Sequence, residues 1–252
     1  SALFMIASSL IAGALLAYGL TIPEVFLVVG VLNALVTFYI FMLVPEYFLR
    51  FLSWVLSHLI YRFKVTNKQV IPSEGAVILT CNHVSFIDAV LLMAASPRPI
   101  YYIMDHRIFK IPVLGWIFKL AKAIPIAPQK EDPVAYEKAF QQAAQVLRNG
   151  DVLAIFPEGA ITRNGELGEF KAGLLKILQT AHADGLSVPV IPMGLKNLWG
   201  SYFSRVDGAA MSTPFRRGFW SRVGLNIGEP IPGEQVTMGG LKQQVQELIN
   251  QE

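Results

Sequence analysis

Asn82-His83-Val84-Ser85-Phe86-Ile87-Asp88 sets an imidazole and a carboxylate five residues apart, directly after the apolar run 76–81. Imidazole changes charge near neutral pH, which makes His83 the strongest general-base candidate in the chain. If a helix begins after Ser85, His83 lies in the turn and Asp88 in the first helical turn. The carboxylate can then fold back onto one imidazole nitrogen and stabilise the imidazolium, the orienting role of the acid in a Ser-His-Asp triad. A plainer reading stands beside this one: Ser85-x-x-Asp88 is a capping-box pattern, and Asp88 simply caps the helix. No Gly-x-Ser-x-Gly elbow is present, so Ser85 does not read as a hydrolase nucleophile. With no nucleophile in view, the task left for His83 is to deprotonate a substrate hydroxyl.

A second constellation, Phe156-Pro157-Glu158-Gly159, follows another buried run, 152–156. Glycine lets backbone approach a ligand closely. Downstream stand Arg163 and then Phe170-Lys171-Ala172-Gly173 at the start of a helical pattern. Arg163 and Lys171, with helix N–H groups nearby, suit a phosphate; the bland alternative is a solvated surface.

These residues need a frame that brings strand ends together. Runs 64–68, 76–81, 100–104, 124–126, 152–156, 188–194 and 222–227 read as strands. Runs 86–95, 117–123, 133–149, 171–183 and 237–250 read as helices. Strands alternating with helices predict an α/β domain with a mostly parallel sheet flanked by helices. Active groups in such sheets gather at the carboxyl ends of strands, which is where both constellations fall.

The first fifty residues differ in texture. Residues 2–20 are uncharged, and after Thr21-Ile22-Pro23-Glu24 a second uncharged stretch runs over 25–44. About 20 residues at roughly 1.5 Å each match a bilayer core of about 30 Å, so residues 1–44 are expected to form a transmembrane helical hairpin. Residues 45–63, aromatic and apolar with Arg50, His58 and Arg62 interspersed, suit an interfacial or linker helix. Residues 64–252 form the α/β domain. Arg50, Arg62 and Lys64 after the second span put that domain on the cytoplasmic side of the membrane. A start at Ser1 in place of Met suggests an excised or processed piece of something longer.

Composition agrees: 53% of residues are hydrophobic and 15% charged, which excludes disorder and argues against a wholly soluble chain. A single cysteine, Cys81, excludes a disulfide framework, and with four histidines no Cys/His zinc cluster is expected. A net charge of +3 suits an anionic membrane or phosphate-bearing substrates and is too small to argue for nucleic acid. The mixed basic and aromatic stretch 215–222 reads as a membrane-surface patch or as an ordinary loop.

His83-x-x-x-x-Asp88, Phe156-Pro157-Glu158-Gly159 and the proline-bearing strand Val188-Pro189-Val190-Ile191-Pro192 together resemble motifs of the glycerolipid acyltransferases typified by 1-acylglycerol-3-phosphate acyltransferase. The resemblance covers residues 64–230. It implies acyl transfer from acyl-CoA or acyl carrier protein to a glycerolipid hydroxyl, with His83 as base and Asp88 orienting it. Glu158 and Gly159 would help bind the acceptor, and Asn82 would shape the same turn. It implies no covalent acyl-enzyme, no metal and no cofactor beyond the acyl donor.

Two departures stand out. The family's second block usually ends in arginine, where this chain has Ala127-Pro128, with Lys122 and Lys130 the nearest cations. Its third block usually carries arginine two residues after the glycine, whereas Arg163 lies four after Gly159. Both changes resemble the 2-acylglycerophosphoethanolamine acyltransferase branch. That branch occurs fused to a lysophospholipid transporter and an acyl-carrier-protein synthetase, which would be the chain's partners. The competing reading is a non-catalytic lipid-binding or docking module at a transporter's tail. The presence of His83, Asp88 and Glu158 together favours the enzyme.

Overall fold

The computed structural model describes residues 2–112, 114–206, 208 and 220–251. The chain divides into two compact units, Ser1–Pro45 and Glu46–Glu252.

The first unit holds helices α1 (Ala2–Ala17) and α2 (Ile22–Leu43). Thr21 is the N-cap of α2: its backbone N–H donates to Glu24 at 2.7 Å, and Pro23 fits the first turn, where its missing N–H costs nothing. The turn residues Ile22 to Glu24 are therefore already helical. At about 33 Å, α2 can cross a bilayer, and none of its residues is buried. The 16 residues of α1 reach only about 24 Å. Among the described residues one helix, Ile22–Leu43, is long and apolar enough to span, where the sequence pattern suggested two.

The second unit is a seven-stranded sheet in the order β1-β7-β6-β2-β5-β3-β4. Its strands are β1 (Tyr61–Thr66), β2 (Val77–Cys81), β3 (Ile100–Asp105), β4 (Ile124–Ile126), β5 (Val152–Ile155), β6 (Val190–Lys196) and β7 (Ser221–Ile227). Every pairing is parallel except β6 with β7, so a mostly parallel sheet forms with one reversal near its edge. The amphipathic helix α3 (Pro45–Ile60) precedes β1; α4 (Asp88–Ala95) and α5 (Leu114–Leu120) follow β2 and β3. Leu91 and Leu92 of α4 share one core layer with Val77, Leu79 and Cys81 of β2. Helices α6 (Pro133–Arg148), α7 (Gly173–Ala183) and α8 (Met238–Asn250) share the other layer with Ile78. Because both faces of β2 are covered, it reads as an unbroken apolar run.

Element ends differ from those expected. The helix expected over 45–63 stops at Ile60, because Tyr61 and Phe63 alternate inward as β1 pairs in parallel with β7. The helix expected from residue 86 starts at Asp88, with Ile87 as its N-cap, and the Phe86 N–H donates to the Phe203 carbonyl. The helix expected from residue 171 starts at Gly173, with Ala172 as its N-cap, and the Lys171 N–H donates to the Pro157 carbonyl. Of the stretch 215–222, residues 215–219 lie outside the described ones. Arg62 lies over the Trp220 ring, 5.8 Å from its centroid.

Candidate active site

β2 lies between β5 and β6, with Thr80 opposite Ile155 and Cys81 opposite Met193. The residues that leave these strands therefore meet at one edge of the sheet. Asn82 is buried; its side-chain oxygen accepts from the Leu195 N–H at 2.7 Å and its amide donates to the Leu195 carbonyl at 3.0 Å. Asn82 thus imitates one more rung of the β2–β6 ladder and fixes where the next residue begins. Its polar atoms are spent on backbone rather than turned toward a ligand.

His83 follows. Its Nδ1 lies 2.8 Å from Asp88 Oδ2, and its ring stacks on Phe156 with centroids 4.3 Å apart. A carboxylate oxygen only accepts, so Nδ1 carries the proton in this contact, and a neutral ring then has its lone pair on Nε2. The side chain is 21% exposed, which leaves Nε2 an approach from solvent.

Asp88 has no exposed surface. Besides His83, its Oδ2 accepts from the N–H groups of Val84 at 2.7 Å and Ser85 at 2.9 Å, and its Oδ1 accepts from Ser85 Oγ at 2.6 Å. Ser85 Oγ accepts in turn from the Ile87 N–H at 3.2 Å. One carboxylate therefore builds the turn and meets the imidazole; it does not cap α4, whose N-cap is Ile87 with no side-chain cap bond. Ser85, passed over as a nucleophile, is a positioning residue of this network.

Glu158, also buried, uses both oxygens on backbone. Oε1 accepts from the His83 N–H at 2.7 Å and Oε2 from the Gly168 N–H at 2.7 Å. Burial pushes its carboxyl above the usual range, against the lowering effect of these two bonds. A Cβ on residue 168 would sit 2.9 Å from Oε2, so glycine is required for this approach. The His83 carbonyl accepts from the Thr162 N–H at 2.9 Å, which ties the loop carrying Arg163 to the same turn. Thr162 and Gly168 were not singled out in the sequence, since contacts made through backbone N–H leave no residue-type signal.

Gly159 has φ of 69°, and a Cβ there would meet Lys171 Nζ at 2.6 Å; the lysine side chain lies across this glycine. Arg163 is exposed, and among the described residues it makes no ion pair. Asn82, His83, Asp88, Glu158, Gly159 and Lys171 therefore converge, with Arg163 on the tethered loop. A cavity of about 480 Å³ is lined by Asn82, Val84, Glu158, Gly165, Trp199 and Ile249 among others. Burial pushes the Cys81 thiol well above its usual range, which removes it as a nucleophile. The remaining histidines are elsewhere: His106 pairs with Glu131, His58 with the Trp54 carbonyl, and His182 is exposed.

An imidazole with one nitrogen fixed by a buried carboxylate and the other open, with cations nearby, is equipped to take a proton from a hydroxyl on a phosphate-bearing substrate.

The acyltransferase family model matches residues 62–196, from β1 to the end of β6. A 1-acyl-sn-glycerol-3-phosphate acyltransferase of Bacillus subtilis is 25% identical over 169 residues, covering 67% of this chain and 73% of that protein. A probable 1-acyl-sn-glycerol-3-phosphate acyltransferase of Mycoplasma pneumoniae is 25% identical over 194 residues, 74% of this chain and 69% of that protein. The chloroplastic enzyme of Arabidopsis thaliana is 27% identical over 135 residues, 53% of this chain and 36% of that protein. The chain thus spans about a third of the length of its chloroplastic relatives. The crystal structure of the 1-acyl-sn-glycerophosphate acyltransferase from Thermotoga maritima has the same fold. It superposes with a TM-score of 0.60 at 21% identity, over 81% of this chain and 76% of that one.

Proposed function

The chain belongs to the acyltransferase family, and from that premise we propose that it moves a fatty acyl group from acyl-CoA or acyl carrier protein to the free hydroxyl of a lysophospholipid at a membrane. The observation that carries this reading is the contact of His83 Nδ1 with the buried Asp88 carboxylate at 2.8 Å, which leaves Nε2 as base. Nε2 takes the acceptor's hydroxyl proton as the oxygen attacks the thioester carbonyl. The tetrahedral intermediate collapses by breaking the C–S bond, and the imidazolium returns the proton to the leaving thiolate. Asp88 holds the imidazolium through this cycle. Attack is direct, with no covalent acyl-enzyme, metal or cofactor beyond the donor.

Arg163 and Lys171 would hold the acceptor's phosphate, while Gly159 leaves room for the lysine and Glu158 and Asn82 hold the turn. For the acceptor we favour lysophosphatidylethanolamine over lysophosphatidate, because Ala127-Pro128 stands where an arginine would serve a phosphate monoester. Residues 1–44 would anchor the chain in the inner membrane with the catalytic unit on the cytoplasmic side, as Arg50, Arg62 and Lys64 after α2 suggest. The transporter and the acyl-carrier-protein synthetase belong to the same branch-level reading and rest on the spacing of Gly159 and Arg163.

The test is an acyl-transfer assay of the purified chain in detergent micelles, with a panel of lysophospholipids against acyl-CoA and acyl carrier protein. Diacyl phospholipid and free thiol should form in equal amounts. Absence of product from every pair would refute the reading.

A further inference from the structure

The acyl transfer proposed above, on which this inference rests, brings two phosphate-bearing molecules to one imidazole. The acceptor has a phosphate on its glycerol. The donor, linked to CoA or to a carrier protein, presents its thioester on a phosphopantetheine arm with a phosphate at the far end. Arg163 and Lys171 both follow β5 in the chain, on a segment tied to the His83 turn through Thr162 and Glu158. They serve one of the two phosphates.

The segment beyond β6 crosses the catalytic turn. Ser85 and Ser204 form an antiparallel bridge, and the Phe86 N–H donates to the Phe203 carbonyl at 3.1 Å. This register sets the Arg205 guanidinium over the Phe86 ring, with Cζ 5.5 Å from the centroid. Phe86 is three residues from His83 in the chain, and its large apolar side chain is 43% exposed. A cation–π contact uses the ring face and none of the guanidinium's hydrogen-bond donors. Among the described residues those donors have no ion pair, and the guanidinium fork is the best side-chain match for a phosphate.

We infer that Arg205, held on its Phe86 platform, binds the phosphate of the donor's pantetheine arm, while Arg163 and Lys171 serve the acceptor. The two sets of cations come from different segments of the chain, one after β5 and one after β6.

Steady-state kinetics of the full chain test this, with acyl-CoA varied at saturating lysophospholipid and the reverse. Arg205→Ala should raise KM for acyl-CoA about tenfold or more, as loss of a charge-assisted contact implies. KM for the lysophospholipid should stay within about twofold. The inhibition constant of free CoA should rise by the same factor as the donor KM. Arg205→Lys should recover part of the loss, since it keeps the charge without the fork. It also serves as the informative variant should Arg205→Ala not fold. Phe86→Leu, which keeps bulk but removes the π face, should raise the donor KM by a smaller factor. A donor KM unchanged in an active, folded Arg205 variant overturns the assignment, as does a rise in acceptor KM instead. Either result leaves the acyltransferase reading standing; a wild-type chain that transfers from no donor removes that reading itself.

Discussion

The His83 backbone N–H donates to Glu158 Oε1 at 2.7 Å, while the His83 imidazole meets Asp88 at 2.8 Å. His83 is therefore fixed at two points by two buried carboxylates, one from each motif. Asp88 sets the ring, and Glu158 sets the backbone that carries it. Glu158 also accepts from Gly168, so the loop with Arg163 is stapled to the turn at the same place.

Glu158→Gln should separate these roles. Glutamine offers one acceptor oxygen, so one of the two N–H groups would face an NH₂ group and go unsatisfied, at about 1–3 kcal/mol. We expect kcat to fall about tenfold, with KM for the donor little changed. The wild-type carboxyl is raised by burial. An acid raised on folding stabilises the fold while protonated. That contribution is fully present below the unfolded value, near about 4.3, and is lost as pH rises through the folded value. Glutamine does not titrate. The wild-type melting temperature minus that of Glu158→Gln should therefore be largest at acid pH and decline through this window. A difference independent of pH, read by thermal melts from mildly acid to neutral pH, would contradict the role of burial.

General-base catalysis is worth about 10²- to 10⁴-fold. His83→Ala should cost at least this much turnover in a chain that melts normally, because the imidazole is part-exposed and bonds only Asp88 through its side chain. Asp88→Asn should lose less turnover but more stability, because Oδ2 serves Val84 and Ser85 as well. Side-by-side melting curves and single-turnover rates check both halves. Near-wild-type turnover in folded His83→Ala would take His83 out of the mechanism.

Much of the candidate site's geometry was legible because it is built from side chains of diagnostic type. His83, Asp88 and Glu158 sit where apolar runs end, and period and turn residues marked those ends. The sheet was legible as mostly parallel from the alternation of strands and helices. The reversal of β7 against β6 was not, since a strand's direction in the sheet leaves no trace in its own residues. β1 was partly hidden for another reason: Tyr61 and Phe63 continue the aromatic texture of α3, and only pairing with β7 decides between helix and strand. The placement of Arg205 over Phe86 was invisible because it depends on the bridge between Ser85 and Ser204, far apart in sequence.

Removal of residues 1–44 should leave a unit that still binds vesicles. Tyr47, Phe51, Trp54 and Leu59 of α3 are all exposed. The cations nearby are partly committed to the protein: Arg50 Nη1 donates to the Ser96 carbonyl at 3.1 Å, and Arg62 stacks on Trp220. Binding should therefore be mainly apolar, with a modest salt effect. Phe51→Ser and Trp54→Ser should each weaken partition about tenfold, given about 1.5–3 kcal/mol for burying such a side chain. Co-sedimentation with anionic vesicles reads this directly. Truncated protein left in the supernatant at low salt would refute α3 as an interfacial helix.

The acceptor is decided by cations, and the structure narrows which ones are available. Lys122 precedes β4 and so lies at the opposite edge of the sheet from His83. Its Nζ is 2.9 Å from Glu46 Oε1, so it does not replace the arginine absent at Ala127-Pro128. Lys130, exposed beyond the carboxyl end of β4, remains, as do Arg163 and Lys171 on the segment tied to the turn. A monoester phosphate carries nearly two charges and favours a bidentate arginine backed by a second cation; a phosphodiester carries one charge. Lysophosphatidylethanolamine should therefore be acylated at least as well as lysophosphatidate. Arg163→Ala should raise KM for the acceptor more than it lowers kcat, as loss of uniform binding does. Competition between the two lipids in mixed micelles gives the ratio of kcat/KM directly. A tenfold preference for lysophosphatidate, about 1.4 kcal/mol, would mean that Arg163 with Lys171 or Lys130 holds a dianion and that the missing arginine is dispensable.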